Sequence, residues 1–247
     1  MKKIALFIFA CLTIQCSSEM QEAPVAKKLK KILEIHDDQR IDNYFWMRLS
    51  DEQKEAEQPD QQTQDVLDYL HAENDYCKYV MKPTEKLQKT IYDEIIGRIK
   101  QDDSSVPITV NGYTYYTRFE KGQDYPYYCR EKAEDKTKEE VMLNVPTMAE
   151  GYAYYAIGGR SVSENNKILA YAVDTVSRRE YTLYFKNLET GEILSDKIEN
   201  TTGGITWAND NLTVFYVKKD PQTLRAYQIF KHRLGTDTSD DELVYEE

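Results

Sequence analysis

The sequence predicts a mainly β protein: an incomplete β-propeller of about three blades, preceded by an α-helical N-terminal segment. Three observations predict it. From Val106 onward apolar residues recur with period two, in short runs separated by turn signals. Within that region a strand–turn–strand unit recurs after about 45 residues, the length of a propeller blade. Between Thr63 and Lys100 the apolar residues instead follow the 3.6-residue period of amphipathic helices.

Composition bounds the function. The 247 residues are 40% hydrophobic and 30% charged, an ordinary globular balance. Lys and Arg number 32 against 43 Asp and Glu, a formal net charge of −11, which argues against nucleic acid as a partner because phosphate binding needs a basic footprint. The 20 Tyr favour β-structure, and with only 3 His a multi-His metal site is not expected.

Residues 1–15 are expected to be an address. Lys2 and Lys3 precede an uncharged apolar run from Ile4 to Ile14, too short to span a bilayer and suited to a signal-peptide core. The run ends at Gln15-Cys16, and a Cys directly after such a core resembles a bacterial lipobox. Cys16 is therefore the expected lipid attachment site. It would make the protein an exported lipoprotein, held by lipid alone on the periplasmic or cell-surface side of the envelope. The competing reading is a buried N-terminal strand or helix with an incidental Cys. Cys77 and Cys129 show no disulfide-rich spacing and are expected to be separate, half-buried thiols.

Residues 16–62 form a polar tether, a basic patch from Lys27 to Lys31, and an aromatic cluster, Tyr44-Phe45-Trp46, expected to pack a loop against something larger. Asp51 to Gln64 reads as exposed. Residues 63–105 form the helical segment. Thr63 is the expected N-cap of a first helix burying Val66, Leu67, Leu70, Cys77, Val80 and Met81. Pro83 and Thr84 break it. A second helix follows with Leu87, Ile91, Ile95 and Ile99 on one stripe, and the pair needs a larger body to lie against.

Residues 106–247 are the partial propeller. Val106, Ile108 and Val110 alternate with polar residues, Asn111-Gly112 is a hairpin signal, and Tyr113 to Thr117 is the return strand. A third strand runs from Asp124 to Arg130, with Pro126 marking an edge or a strand start. The charged stretch from Glu131 to Glu140 reads as a solvated loop, and Val141 to Val145 as the next strand. Leu169 to Asp174 then lines up with Val214 to Asp220, and Leu183 to Leu188 with Gln228 to Arg233. Trp207-Ala208-Asn209-Asp210 falls where blades place a Trp and an Asp in a turn. Two-sheet sandwiches also carry many short strands, but the repeat favours the propeller. Propellers close at four to eight blades. With about three, the sequence is expected to be the front part of a longer protein.

Several motifs in order carry a resemblance. They run from Glu94-Ile95-Ile96-Gly97-Arg98-Ile99 through Asn111-Gly112-Tyr113, Tyr125-Pro126-Tyr127-Tyr128-Cys129-Arg130 and Arg179-Glu180-Tyr181 to His232-Arg233-Leu234-Gly235-Thr236. With Asp42-Asn43-Tyr44-Phe45-Trp46 near the start, they resemble the oligopeptidase B branch of the prolyl oligopeptidase family of serine peptidases, over residues 27–247. The resemblance implies a seven-bladed propeller that filters substrates by size and caps an α/β-hydrolase domain wrapped by the helical segment. It implies cleavage of short peptides after Arg or Lys, without a cofactor.

No catalytic, cofactor-binding or metal-binding residue is expected within this chain. The family nucleophile sits on a Gly-x-Ser-x-Gly elbow, and no such pentapeptide occurs here. Gly159-Arg160-Ser161-Val162-Ser163 lacks the final Gly and is expected to precede a strand. His36, His71 and His232 are expected to be structural, and Asp102-Asp103-Ser104-Ser105 to be a polar connector. The chain alone is thus expected to be inactive. The alternative is a non-enzymatic surface or periplasmic propeller lipoprotein that binds a partner through its blade loops.

Overall fold

A computed structural model describes residues 21–247. Cys16 and the expected signal segment lie outside the described residues. The chain divides after Arg98 into two compact units, seven residues before the boundary expected from the change of period.

The first unit opens with a hairpin, β1 (Lys31–Ile35) and β2 (Asp38–Asp42), closed by His36 and Asp37 at φ 53° and 63°. The hairpin follows the polar tether and falls in the part of residues 16–62 expected to be extended. The aromatic cluster was expected to pack against something larger, and the partners of Trp46 are local. The Trp46 indole donates to the Lys27 carbonyl (2.8 Å) and meets Tyr69 edge-on, while Gln62 donates to the Trp46 carbonyl (2.8 Å). At the start of the polar stretch read as exposed, Ser50 just before it and Gln53 form a capping box that starts α1 (Asp51–Glu55).

Helix α2 (Gln61–Met81) and helix α3 (Glu85–Arg98) flank a 3-10 turn containing Pro83. The N-cap is Asp60, not Thr63: its carboxylate accepts from the Thr63 amide at 2.8 Å. Thr63 is instead buried one turn in. The anticipated buried face is also narrower than its pattern. Only Thr63 and Val66 of α2 are buried, Leu70, Val80 and Met81 are exposed, and Cys77 is exposed rather than half-buried. On α3 the stripe of Leu87, Ile91 and Ile95 is open to solvent.

The second unit is built of four-stranded antiparallel meanders. The first contains β3 (Ile108–Val110), β4 (Tyr113–Arg118), β5 (Tyr127–Lys132) and β6 (Asp135–Asn144), in sequence order. Strand β6 corrects the solvated-loop reading of Glu131 to Glu140. Only Ala133 and Glu134 turn the chain, and the Lys/Glu run is an outer strand exposed along most of its length.

After the short helix α4 (Val145–Met148), one sheet of seven strands carries two more meanders: β7 (Ala156–Val162), β8 (Ile168–Asp174), β9 (Tyr181–Asn187), β10 (Ile193–Trp207), β11 (Thr213–Lys219), β12 (Ala226–Arg233) and β13 (Glu242–Glu246). They share β10. Its first half, Ile193–Thr201, pairs with β9, and its second half, Thr201–Trp207, pairs with β11. The strand therefore ends one meander and begins the next.

Apolar side chains fill the spaces between meanders. Strand β8 is buried on both faces, which explains its unbroken apolar run. Leu169, Tyr171 and Val173 join Leu143, Val145 and Tyr155 on one side. Ala170 and Ala172 on the other face admit Leu183, Phe185, Val214 and Tyr216. Alternating large and small residues let a flat strand serve two cores.

Candidate functional site

The first strands of the second and third meanders, β7 and the second half of β10, lie side by side. Glycine makes this approach. Gly158-Gly159 and Gly203-Gly204 occupy equivalent places in the repeat, 45 residues apart. A Cβ on Gly159 would fall 2.0 Å from the Gly203 carbonyl oxygen. The Tyr181 ring closes the junction from the other side. A Cβ on Gly158 would lie 2.7 Å from it, and one on Gly203 (φ +84°) 2.9 Å. Trp207 seals the pair by donating its indole N–H to the Ser161 carbonyl at 3.0 Å.

The turns that follow each first strand are tied in a row. Asn111, Asn166 and Asn211 all take left-handed backbone, at φ 48°, 63° and 60°, a conformation Asn tolerates. Asn111 Nδ2 donates to Glu164 (2.9 Å), Asn166 Nδ2 donates to the Asn111 carbonyl (3.0 Å), and the Asn165 amide donates to Asn211 Oδ1 (2.8 Å). At the opposite strand ends the buried Asp174 carboxylate accepts from the amides of Val176, Ser177 and Arg179 at 2.7–3.0 Å. Asp220 repeats the device with Gln222 and Thr223.

Buried charges fasten the meanders. Arg130, 2% exposed, donates Nε to Glu140 (2.7 Å) and a terminal N–H to the Asn166 carbonyl (2.9 Å), and lies over the Tyr113 ring. Across the same sheet Arg118 grips Glu139, and Tyr116 donates to that carboxylate at 2.7 Å. The Arg118 guanidinium holds Glu139 below the ordinary carboxylate range, while burial pushes the Cys129 thiol up to about 12. Cys129 is an inert, fully buried thiol, and both it and Cys77 are free.

Of the three histidines, His36 sits in the β1–β2 turn and His71 is exposed on α2. His232, on β12, is fully buried. Its Nδ1 lies 2.6 Å from Asp241 and its Nε2 3.1 Å from Asp196, while Tyr216 donates to the second oxygen of Asp241 at 2.7 Å. The imidazole thus joins the first half of β10 to the third meander. Among the described residues no Ser or Cys side chain hydrogen-bonds a histidine. Gly159-Arg160-Ser161-Val162-Ser163 lies largely within strand β7 rather than before a strand. The connector role of Ser104 and Ser105 is visible: Ser105 caps the β4 edge through the Thr117 amide (2.9 Å). The glycine pairs and the Asn row were not anticipated, although their 45-residue spacing was open to inspection.

What this arrangement offers is a wall of first strands with little room for side chains at its seam. Comparison with known proteins places that wall. The chain is 42% identical to dipeptidyl aminopeptidase BI of Pseudoxanthomonas mexicana over 238 residues, covering 90% of this chain and 32% of that protein. It is 31% identical to Protease 2 of Moraxella lacunata, covering 91% and 32%. Among solved structures, oligopeptidase B of Leishmania major superposes with a TM-score of 0.80 at 30% identity, over 92% of this chain and 33% of that one. The chain thus spans about a third of the length of the relatives it matches. Residues 24–247 match the family described as prolyl oligopeptidase, N-terminal beta-propeller domain, and the chain therefore belongs to the prolyl oligopeptidase family of serine peptidases.

Proposed function

We propose that this chain is the size-selecting propeller of a serine-type oligopeptidase that cleaves short peptides after Arg or Lys, the cleavage being done by residues outside these 247. The observation that carries this reading is the similarity along nine-tenths of the chain to Protease 2 and to oligopeptidase B. In the whole protein the three meanders would be the first of seven blades, and the open stripe of α3 would lie against the hydrolase domain. There a Ser would attack the scissile carbonyl, a His would carry the proton, an Asp would orient the His, and backbone N–H groups would hold the oxyanion. The propeller's part is exclusion. A wall whose first strands are locked at Gly159 and Gly203 cannot splay cheaply to admit a folded protein.

A second reading draws on the 42% identity to a relative named as a dipeptidyl aminopeptidase: release of dipeptides from free amino termini. One assay separates the two. The whole protein and the 247-residue chain are each offered an N-acylated Arg chromogenic peptide and its unblocked dipeptidyl counterpart. We expect the whole protein to turn over the blocked Arg peptide and the chain alone to turn over neither. Turnover by the chain alone overturns the division of labour, and turnover of only the unblocked substrate favours the second reading. A non-enzymatic binding propeller is not favoured by membership in a peptidase family.

We further propose that Cys16 is diacylated and anchors the exported protein to a membrane surface. The apolar run from Ile4 to Ile14, followed by Gln15-Cys16, supports this. Mass spectrometry of the mature protein should find the lipid on an N-terminal Cys16; an unmodified terminus beyond Cys16 would overturn it.

A further inference from the structure

Where β7 and β10 touch, β3 stands away from β7, and the gap is an open groove of about 390 Å³. That is within the roughly 300–1,000 Å³ span of small-ligand sites. One wall is apolar. Val106, Ile108 and Val110 are alternate residues of one extended segment, and all are exposed, Val106 at 84%. They project from the face turned toward the second meander. Ile108 sits opposite Tyr115, whose hydroxyl donates to Asn166 at 3.3 Å. β-Branched residues left open on an inward-turned face are a surface made for covering.

The facing wall carries one cation. Arg160, on β7, lays its guanidinium 3.7 Å from the centre of the Tyr128 ring. Arg118 and Arg130 on the neighbouring strands each meet a carboxylate, whereas Arg160 meets no carboxylate and donates to no acceptor among the described residues. The aromatic face fixes the plane of the guanidinium and leaves its N–H edge free, the geometry that receives a carboxylate in two parallel hydrogen bonds. In a chain of net charge −11, an unpaired guanidinium beside an apolar strip is complementary to one kind of ligand.

We infer that this groove binds the carboxyl-terminal end of a short peptide. The terminal carboxylate sits on Arg160, and apolar side chains lie against Val106, Ile108 and Val110. Only the ligand class rests on the peptidase reading.

The test uses a probe without Arg or Lys, so its result is independent of the proposed cleavage specificity. N-Acetyl-Ala-Val-Leu, as the free acid and as the carboxamide, is titrated calorimetrically into the full 247-residue chain. The acid should bind about tenfold more tightly than the amide, the size of one charge-assisted contact. Arg160→Gln should remove that difference and leave the amide affinity unchanged, and Ile108→Ser should weaken both ligands. Because the Arg160 side chain supports no hydrogen bond within the fold and gives up only its contact with the Tyr128 ring, its variant should stay folded with a slightly lowered unfolding midpoint. Equal binding of acid and amide, unchanged acid binding by Arg160→Gln, or no binding of either ligand would overturn the inference.

Discussion

At Gly203 two demands meet that glycine alone satisfies: a left-handed backbone and an aromatic ring 2.9 Å from where a Cβ would stand. Gly191 provides the comparison, since it has φ +79° and no atom within 4 Å of its missing Cβ. Gly191→Ala should therefore report backbone strain alone, about 1–2 kcal/mol by urea unfolding. Gly203→Ala adds the overlap with Tyr181 and should cost roughly 3 kcal/mol or more. In a Tyr181→Ala background the Gly203→Ala penalty should shrink to that of Gly191→Ala. Equal losses at the two glycines in the parent protein would show that the ring yields freely and that the seam is not rigid. The doubled glycines were visible in the sequence at the repeat spacing. Their partner was not, because nothing local to Tyr181 tells which strand its ring will cover.

At the level of elements, legibility followed burial. Strands β8 and β11, and β9 and β12, were readable because each faces a core and carries apolar residues in register with its repeat. Asn111-Gly112 was readable because its turn requires left-handed backbone, and the break between α2 and α3 because Pro83 lacks an amide. The failures lie where burial is slight. Strand β6 is charged because six of its ten residues face solvent before Met142 and Leu143 enter the core, so a Lys/Glu run looked like a loop. The β1–β2 hairpin is turned by His36-Asp37, a pair outside the usual Asn-Gly and Asp-Gly signals. At the start of α2, Asp60 and Thr63 are both good cap residues three apart, and Pro59 before Asp60 gave no periodic residue from which to choose. The double role of β10 was hidden for a different reason. A bend that hands one strand from β9 to β11 is a relation between meanders, and period-two patterning carries no trace of it.

For the whole molecule, the abundance of tyrosine becomes a pH dependence. Tyr155, Tyr171 and Tyr216 lie in or beside the cores between meanders. Burial raises all three phenols, Tyr155 to about 12, and the hydrogen bond to Asp241 raises Tyr216 further. The buried Cys129 thiol is raised in the same sense, to about 12. In the unfolded chain these groups ionise near 8.5 for Cys and near 10 for Tyr. Each folded pKa lies above its unfolded value, so the unfolded state releases the proton first. Their contribution to stability is complete below about pH 8.5 and falls as the pH rises, gently with Cys129 and then steeply above pH 10 as the three phenols join. Each group adds a slope of about 1.4 kcal/mol per pH unit between its two pKa values. The growing negative charge of a chain already at −11 acts in the same direction. Urea midpoints measured from pH 7 to 11.5 should therefore bend downward twice, and absorbance at 295 nm should show these phenols un-ionised until the sheets open. Tyr216→Phe lowers stability at every pH by removing a donor from Asp241, but it should also flatten the limb above pH 10 by one proton's slope. An unflattened limb in that variant would mean that Tyr216 ionises inside the fold, and that the seam between the second and third meanders admits hydroxide and water where the packing of Phe185, Val214 and Tyr216 leaves no room for them.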